Sequence, residues 1–126
     1  MTKFDPLFNV SNKTIIVTGA SSGLGVTFAE FLASRGANVV ISARREDKLE
    51  ELENKILERN QSAMSISCDV TDSSQVTAMF NDAEERFGRI DVIVNNAGQI
   101  AEARAVPEKI TDEMFEQTVR VNLLGL

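Results

Sequence analysis

Apolar residues along the chain follow two alternating patterns, which predict strands and helices in turn. Four short runs rich in β-branched residues are predicted as buried strands: Thr14–Thr18, Asn38–Ser42, Ala63–Ser67 and Ile90–Asn95. These runs are apolar throughout rather than alternating, which is typical of a parallel sheet covered on both faces. The sequence therefore predicts a parallel sheet at the centre of the fold.

Between the predicted strands lie segments whose apolar residues recur at helical spacing. We expect these stripes, and the phenylalanines within them, to pack in the core. The stripes are Leu24, Phe28, Phe31 and Leu32, then Leu49, Leu52 and Ile56, and finally Val76, Met79, Phe80, Ala83 and Phe87. A last helix is predicted after Thr111, whose hydroxyl is suited to cap its first turn.

Strands and helices alternate through four predicted pairs with short connections. That order indicates an α/β fold with a doubly wound parallel sheet of the Rossmann type. The first three strands and their helices match one mononucleotide-binding half of such a fold, and the fourth strand begins the other half. The segment Gln99–Ile110 has no periodicity, and we predict that it forms a loop over the carboxyl edge of the sheet.

The chain of 126 residues is long enough for one domain, and no linker or internal repeat divides it. Its last residues, Val121–Leu126, are apolar nearly all round. A helix that is apolar on every side needs cover on every side. We therefore expect residues 1–126 to be one incomplete domain, truncated within the last helix, with cover from another subunit as the alternative.

The composition of the chain argues against several kinds of functional site. The chain has one cysteine, Cys68, and no histidine or tyrosine, so we expect no disulfide, no metal site and no nucleophile–histidine pair. A net charge of −6 disfavours general nucleic-acid binding, so an anionic ligand must be held locally. The longest aliphatic runs are too short to span a bilayer, and no apolar signal core precedes Val10. The expectation is a cytoplasmic protein without a membrane partner.

A glycine-rich turn, Thr18–Gly25, links the first strand to the first helix. Its G-x-x-x-G-x-G spacing lets the backbone bend tightly and approach a pyrophosphate closely. The helix N-terminus offers N–H groups and a positive dipole end to that anion. We predict a dinucleotide-binding turn, with an ordinary glycine-rich turn as the alternative. The predicted cofactor-binding residues here are Gly19, Ser21, Ser22, Gly23, Leu24 and Gly25.

This turn is one of four motifs through which the chain resembles the short-chain dehydrogenases/reductases. The other three agree with that family in order and spacing, and they are Cys68-Asp69-Val70, Asn95-Asn96-Ala97-Gly98 and Val121-Asn122-Leu123. The resemblance runs from about Asn12 to the end of the chain. It implies that residues 1–126 form the N-terminal portion of an NAD(P)-binding Rossmann domain, with four strands and about half of the family's domain.

The resemblance assigns a role to the segment after the third strand. Asp69 would accept a hydrogen bond from the adenine amino group at the carboxyl edge of the sheet, with Val70 beside it in the cofactor site. A carboxylate that caps a turn or a helix is the alternative, because Thr71 and Asp72 follow directly. The resemblance therefore predicts an adenine site here.

The resemblance also assigns roles near the nicotinamide. Asn96, Ala97 and Gly98 would line the nicotinamide ribose, whereas we interpret Asn95 as mainly structural. Asn122 falls on the family's catalytic asparagine, which holds a water in a proton relay. A hydrogen-bonded core asparagine is the alternative for Asn122, because an amide on an apolar helix face must find partners.

The end of the second strand indicates which nicotinamide cofactor the chain uses. NAD-binding Rossmann units carry an Asp or Glu there, whereas this sequence has Arg44 and Arg45. A guanidinium can pair with a 2′-phosphate through two charge-assisted hydrogen bonds. We therefore predict NADP(H), with NAD(H) as the alternative. Solvated arginines that pair with Glu46 or Asp47 are the structural alternative.

The resemblance implies an oxidoreductase that transfers hydride between the nicotinamide and a small carbonyl or alcohol substrate, and it also implies a homo-oligomer. In that family a tyrosine, followed four positions later by a lysine, supplies the proton. The chain has no tyrosine, so we expect it to bind cofactor without turnover. A non-catalytic nucleotide-binding module and another Rossmann enzyme, such as an S-adenosylmethionine-dependent methyltransferase, are the alternatives. The latter usually carry an acidic residue after the second strand, which Arg44 and Arg45 do not supply.

Overall fold

Strands and helices alternate along the chain in the computed structural model, which describes residues 6–98 and 111–124. The strands are β1 (Thr14–Thr18), β2 (Asn38–Ala43), β3 (Ser62–Ser67) and β4 (Val92–Val94). The helices are α1 (Leu24–Ser34), α2 (Glu46–Glu58), α3 (Ser73–Phe87) and α4 (Asp112–Val119), which continues as a π-helical segment over Arg120–Leu124. A short 3-10 helix, Pro6–Phe8, precedes them. The predicted loop Gln99–Ile110 lies outside the described residues.

The four strands form one parallel sheet in the order β3-β2-β1-β4. Ile16 in the middle of β1 is level with Val40 of β2 and Ile93 of β4. The chain thus adds β2 and β3 on one side of β1 and then crosses to place β4 on the other side. Such a reversal leaves a crevice at the carboxyl ends of β1 and β4. The predicted α/β fold of the Rossmann type is confirmed.

Two apolar clusters cover the faces of the sheet. Ile15 and Val17 of β1 belong to a cluster with residues of α1 and α2, whereas Ile16 belongs to a second cluster with Met79 and Ala83 of α3. Every residue of β1 is buried. β4 differs, because Val92 and Ile93 are 41% and 37% exposed. Coverage on both faces is therefore confirmed for β1 but not for β4.

Helix α1 packs on the sheet with a face other than the predicted one. Its buried residues are Gly25, Ala29 and Ala33. Of the predicted core residues, Leu32 packs partly buried against the cluster, whereas Leu24, Phe28 and Phe31 are 66%, 37% and 57% exposed. The prediction followed helical spacing, but the residues of α1 that are fully buried against the sheet are small. The expectation that the phenylalanines are core residues was wrong for Phe28 and Phe31.

The stripes of the next two helices are confirmed. Leu49, Leu52 and Ile56 are the buried residues of α2. In α3, Met79 and Ala83 are buried, and the other predicted residues pack against them as partly buried neighbours. Both stripes therefore face the interior as the spacing indicates.

β4 and α4 differ in part from their predicted forms. β4 covers three residues rather than six, and directly after it the N–H of Asn96 turns back to donate to the carbonyl oxygen of Val94 at 3.0 Å. α4 begins as predicted, with the Thr111 hydroxyl accepting the N–H of Met114 at 3.2 Å. None of the described residues of α4 is buried. Within residues 6–98 and 111–124, no helix has the length and apolar character that crossing a membrane requires.

Candidate functional site

An open cleft lies in the crevice at the carboxyl ends of the strands. Its lining residues come from the turn after β1, the ends of β2 and β3, the turn after β4 and the π-helical segment. The lining residues are Gly19, Ser21, Ser42, Ala43, Arg44, Arg45, Cys68, Asp69, Val70, Ala97, Gly98 and Val121. All four sequence motifs and the arginine pair therefore contribute to one surface, although they are far apart in the chain.

The remaining predicted residues lie beside the cleft rather than in its wall. Ser22, Gly23 and Leu24 are exposed at the start of α1. Gly25, which ends the glycine-rich turn, and Asn96 both lie next to Gly19. Asn122 lies next to Gly98 in the segment after β4. Sequence reasoning did not single out Ser42, Ala43, Cys68 or Val121 as lining residues. Ser42 and Ala43 end β2 and precede the arginines, and that position was their only sequence signal.

Thr18 is the residue whose importance the sequence reasoning missed. It ends β1 and is 5% exposed. Its hydroxyl oxygen accepts the N–H of Asn96 at 3.1 Å and the N–H of Ala97 at 3.0 Å, and the hydroxyl donates to the Val94 carbonyl oxygen at 3.3 Å. One buried hydroxyl thus holds the turn after β4 against β1. The available signal was a threonine that closes an apolar strand directly before the glycine turn.

Two glycines bring three backbone segments into contact below the cleft. A Cβ on Gly25 would lie 2.3 Å from the Gly19 carbonyl oxygen, and one on Gly19 would lie 2.8 Å from the Cα of Ala97. The side-chain amide of Asn96 donates to that same Gly19 oxygen at 3.3 Å. Asn96 therefore has the structural role that we interpreted for Asn95, whose side chain is exposed.

The N-terminus of α1 differs from those of the later helices. Asp72 caps α3 by accepting two backbone N–H groups and Thr111 caps α4 by accepting one, whereas α2 has no side-chain cap but two acidic residues in its first turn. α1 begins after Gly23 with no side-chain cap and no acidic residue in its first turn. The first N–H groups of a helix carry partial positive charge and bind anions such as pyrophosphate. The start of α1 therefore has the backbone chemistry that the glycine-rich turn predicts.

Asp69 is fixed at the end of β3 by its neighbours. Its Oδ1 accepts the N–H of Thr71 at 2.9 Å and the Thr71 hydroxyl at 2.7 Å, and its own N–H donates to Gln75 Oε1 at 2.9 Å. The Thr71 hydrogen bonds, more than the nearby Arg44 charge, hold the pKa of Asp69 below its usual value. Asp69 is therefore ionised at neutral pH and caps the turn through Oδ1, while its predicted contact with adenine stays a prediction.

The arginine pair follows a tightly bonded backbone. The Ala43 carbonyl oxygen accepts the N–H of Cys68 at 2.9 Å, and the Arg44 carbonyl oxygen accepts the Ser67 hydroxyl at 3.2 Å. The side chains of Arg44 and Arg45 are exposed at the rim of the cleft. A fixed backbone with exposed guanidinium groups is suited to binding a phosphate that arrives from solvent.

Cys68 is confirmed as a small buried residue, at 2% exposure. Burial is the main cause that raises the pKa of its thiol. A neutral, buried thiol is a weak nucleophile, so Cys68 forms part of the cleft wall. Among the residues that the structure describes, no cluster of three or more histidine, cysteine or acidic side chains is placed to bind a metal ion.

Asn122 approaches the cleft from the π-helical segment. Its Oδ1 lies 3.2 Å from the position that a Cβ on Gly98 would occupy, so the missing side chain of Gly98 makes room for the amide. π-Helical turns inside helices occur often at functional sites. Asn122 is exposed rather than part of a core stripe, and its predicted catalytic role stays a prediction.

Comparison with known proteins agrees with this geometry. Residues 13–126 match the sequence model of the family described as short chain dehydrogenase. The chain is 38% identical over 119 residues to an uncharacterized oxidoreductase of Staphylococcus saprophyticus, a match that covers 94% of this chain and 46% of that protein. The chain spans about half the length of the curated relatives that it matches.

Two solved structures are similar in fold and sequence. A short-chain dehydrogenase/reductase of unknown function from Caenorhabditis elegans, solved with cofactor, has a TM-score of 0.84 and 36% identity, over 93% of this chain and 45% of that one. A metagenomic short-chain oxidoreductase in complex with NADP has a TM-score of 0.83 and 33% identity, over 93% of this chain and 52% of that one. With its sheet order, its glycine-rich turn and its four motifs in place, this chain belongs to the short-chain dehydrogenase/reductase family.

Proposed function

We propose that the chain binds NADP(H) in the cleft and forms the cofactor-binding part of an oxidoreductase. The reaction would transfer hydride between the nicotinamide and a small carbonyl or alcohol substrate. The observation that carries the proposal is the cleft itself, which brings Arg44 and Arg45 to the same surface as the glycine-rich turn. A similar solved structure holds NADP, and this supports the choice of cofactor.

Each part of the cleft has a distinct task in this proposal. The N–H groups at the start of α1 would bind the pyrophosphate, and Asp69 with Val70 would contact the adenine. Arg44 and Arg45 would pair with the 2′-phosphate. Ala97 and Gly98 would border the nicotinamide ribose, where small residues permit close approach. A guanidinium pair on a protein of net charge −6 supplies the local positive charge that a phosphorylated nucleotide needs.

The bound nicotinamide supplies the hydride chemistry, and the residues of this chain position it. Asn122, next to Gly98, would hold a water near the nicotinamide end of the cleft. The sequence contains no tyrosine, so we propose that the proton donor lies outside these 126 residues. A cytoplasmic location stays a prediction from the sequence composition, and a homo-oligomer stays a prediction from the family resemblance.

A non-catalytic nucleotide-binding module is the second candidate, because the residues that line the cleft account for nucleotide binding by themselves. Both candidates bind the same nucleotide. They differ in turnover, which an assay of NADPH oxidation with a panel of carbonyl compounds measures on the protein at its natural length. Turnover supports the oxidoreductase. Tight binding without turnover across the panel supports the module.

Titration with NADPH, NADH and S-adenosylmethionine tests the choice of ligand. We expect NADPH to bind most tightly. Arg44→Asp should weaken NADPH binding by at least about tenfold and change NADH binding by less than about threefold, because only NADPH carries the 2′-phosphate. Arg59→Asp, the same charge change at the far end of α2, is the matched control and should change neither affinity.

Three results would contradict the assignment. Tighter binding of NADH than of NADPH by the unmodified protein would overturn the choice of NADP(H). Equal losses of both affinities in Arg44→Asp would show that this arginine does not recognise the phosphate. Tightest binding of S-adenosylmethionine would instead indicate a different class of Rossmann enzyme.

A further inference from the structure

A cationic and an anionic side chain stand on neighbouring strands at one end of the cleft. Arg44 follows Ala43, which is level with Ser67 at the end of β3, and Asp69 comes two residues after Ser67. Both Arg44 and Asp69 line the cleft. The two opposite charges therefore lie at the same end of the cleft, where the proposed function locates the 2′-phosphate.

The structure holds both backbones in place. The Ser67 hydroxyl bonds to the carbonyl oxygen of Arg44 at 3.2 Å, and the N–H of Cys68 bonds to that of Ala43 at 2.9 Å. The carboxylate of Asp69 is fixed through its Oδ1 by Thr71, at 2.7 and 2.9 Å. Because the carboxylate is held, it cannot swing away when an anion binds nearby.

The two charges influence each other. The Arg44 guanidinium is one of the groups that lower the pKa of Asp69, after the hydrogen bonds from Thr71. A charge that stabilises the Asp69 carboxylate is in turn partly neutralised by it. The same guanidinium is therefore less effective for a phosphate than it would be beside a neutral residue.

We propose that Asp69 is a specificity-determining residue, which weakens the preference of the cleft for a nucleotide with a 2′-phosphate. The inference rests on the proposed function. The carboxylate acts against the phosphate twice: it repels that anion directly, and it attracts the arginine that would bind it. A nucleotide with a 2′-hydroxyl experiences neither effect, since the hydroxyl carries no charge.

This role can be separated from a contact with adenine. Adenine is common to NADPH and NADH, so a lost hydrogen bond to it weakens both nucleotides by the same factor. The ratio of the two dissociation constants then stays constant. A charge effect at the 2′ position instead changes that ratio, and it does so less at high salt because screening weakens exposed charges.

The test measures the dissociation constants of NADPH and NADH by calorimetry on the protein at its natural length. In Asp69→Asn, the preference for NADPH over NADH should rise about threefold to tenfold at low salt, and less at 0.5 M salt, which is roughly the range expected for a charge removed several ångströms away. Asparagine keeps an acceptor for Thr71, so the turn is preserved. Asp82→Asn, the same charge change on α3 outside the cleft, is the matched control and should leave the ratio unchanged.

Two further variants complete the experiment. Asp69→Ser, whose hydroxyl also accepts from Thr71, should raise the ratio by a similar factor and serves as the alternative if Asp69→Asn does not fold. In a protein that already carries Arg44→Gln, Asp69→Asn should change the ratio of the two dissociation constants by a smaller factor than it does in the unmodified protein, because part of the effect acts through that arginine.

The outcomes are distinguishable. An unchanged ratio in both Asp69 variants, with both nucleotides weakened equally, would overturn the inference and leave the proposed function intact. An unmodified protein that binds neither nucleotide would overturn the proposed function, and the inference with it.

Discussion

The two ends of the β1–β4 pair are each closed by one side chain, but the two side chains differ in chemistry. At the amino end, Asp91 Oδ2 accepts the N–H of Thr14 at 2.8 Å, and Asp91 Oδ1 accepts the Nε–H of Arg89 at 2.9 Å. At the carboxyl end, the neutral hydroxyl of Thr18 makes the connection. The amino-end bridge is charged and next to solvent, whereas the carboxyl-end bridge is neutral and buried.

The bridges at the two ends are expected to contribute differently to stability and to nucleotide binding. Among the residues that the structure describes, Asp91 and its partners Thr14 and Arg89 are not part of the cleft lining, so this bridge should affect only folding. Thr18 binds the N–H of Ala97, and Ala97 lines the cleft. Changes at the carboxyl end should therefore alter both the free energy of unfolding and nucleotide affinity. Matched changes at the two ends test this comparison.

The largest effect is expected for Gly25→Ala. The new Cβ would lie 2.3 Å from the backbone oxygen of Gly19, which cannot move without shifting the turn. We expect a loss of at least about 3 kcal/mol in the free energy of unfolding and of at least about 100-fold in NADPH affinity. Denaturant unfolding and calorimetric titration measure the two quantities.

Gly36→Ala is the matched change at the amino end of the sheet. Gly36 has a φ of +88°, and a Cβ there would meet the Ser11 side chain at 3.1 Å, which can move aside. The expected cost is about 1–2 kcal/mol of stability, with no change in affinity for the folded protein. An equal loss of affinity in both glycine variants would contradict the separation of the two ends.

The next largest effect is expected for Thr18→Val. Valine keeps the shape of threonine but leaves the N–H groups of Asn96 and Ala97 without their acceptor. We expect a loss of about 2–3 kcal/mol in stability and about tenfold in NADPH affinity. Thr18→Ser, which keeps the hydroxyl, should lose less than about 1 kcal/mol. If valine and serine behave alike, the hydroxyl does not hold the turn.

The smallest effect is expected for Asp91→Asn. The hydrogen bonds from Arg89, and then that from Thr14, hold the pKa of Asp91 below its usual value. A lowered pKa in the folded protein gives stability that is fully present above the unfolded pKa of about 3.9 and is lost as the pH falls through the folded pKa. Asparagine removes this contribution.

We expect Asp91→Asn to lower Tm by about 2–4 °C at pH 7, and the difference from the unmodified protein to shrink as the pH falls below about 4. NADPH affinity at pH 7 should stay the same. Asp82→Asn, on the exposed face of α3, is the control for a lost surface charge. A pH-independent difference in Tm would show that the charge of Asp91 is not responsible.

The centre of the sheet was predictable because β1 and β2 are nearly continuous apolar runs, which leave few alternatives for their burial. The face of α1 was not predictable by the same reasoning. Leu24, Phe28 and Phe31 have the larger apolar area, but the packing uses the smaller residues between them. Spacing alone does not say how closely a helix approaches the sheet, and that distance decides which side chains fit.

The residues of the candidate site were predictable as motifs, since strand ends in a parallel sheet share one edge. Their individual contacts were not. Asn95 and Asn96 are identical in type, and only the turn after Val94 decides that Asn96 reaches Gly19. Thr18 escaped notice because a buried threonine at a strand end is common, and its bonds connect residues 76 to 79 positions apart.

The small side chains under α1 link the interior of the protein to its ligand. Gly25 and Ala29 are buried, and the 2.3 Å approach of a Cβ on Gly25 to the Gly19 oxygen shows that the start of α1 lies against the glycine turn. Larger apolar residues at these positions would push the helix away and carry its N–H groups away from any bound anion. A bulkier interior beneath α1 would thus act against nucleotide recognition.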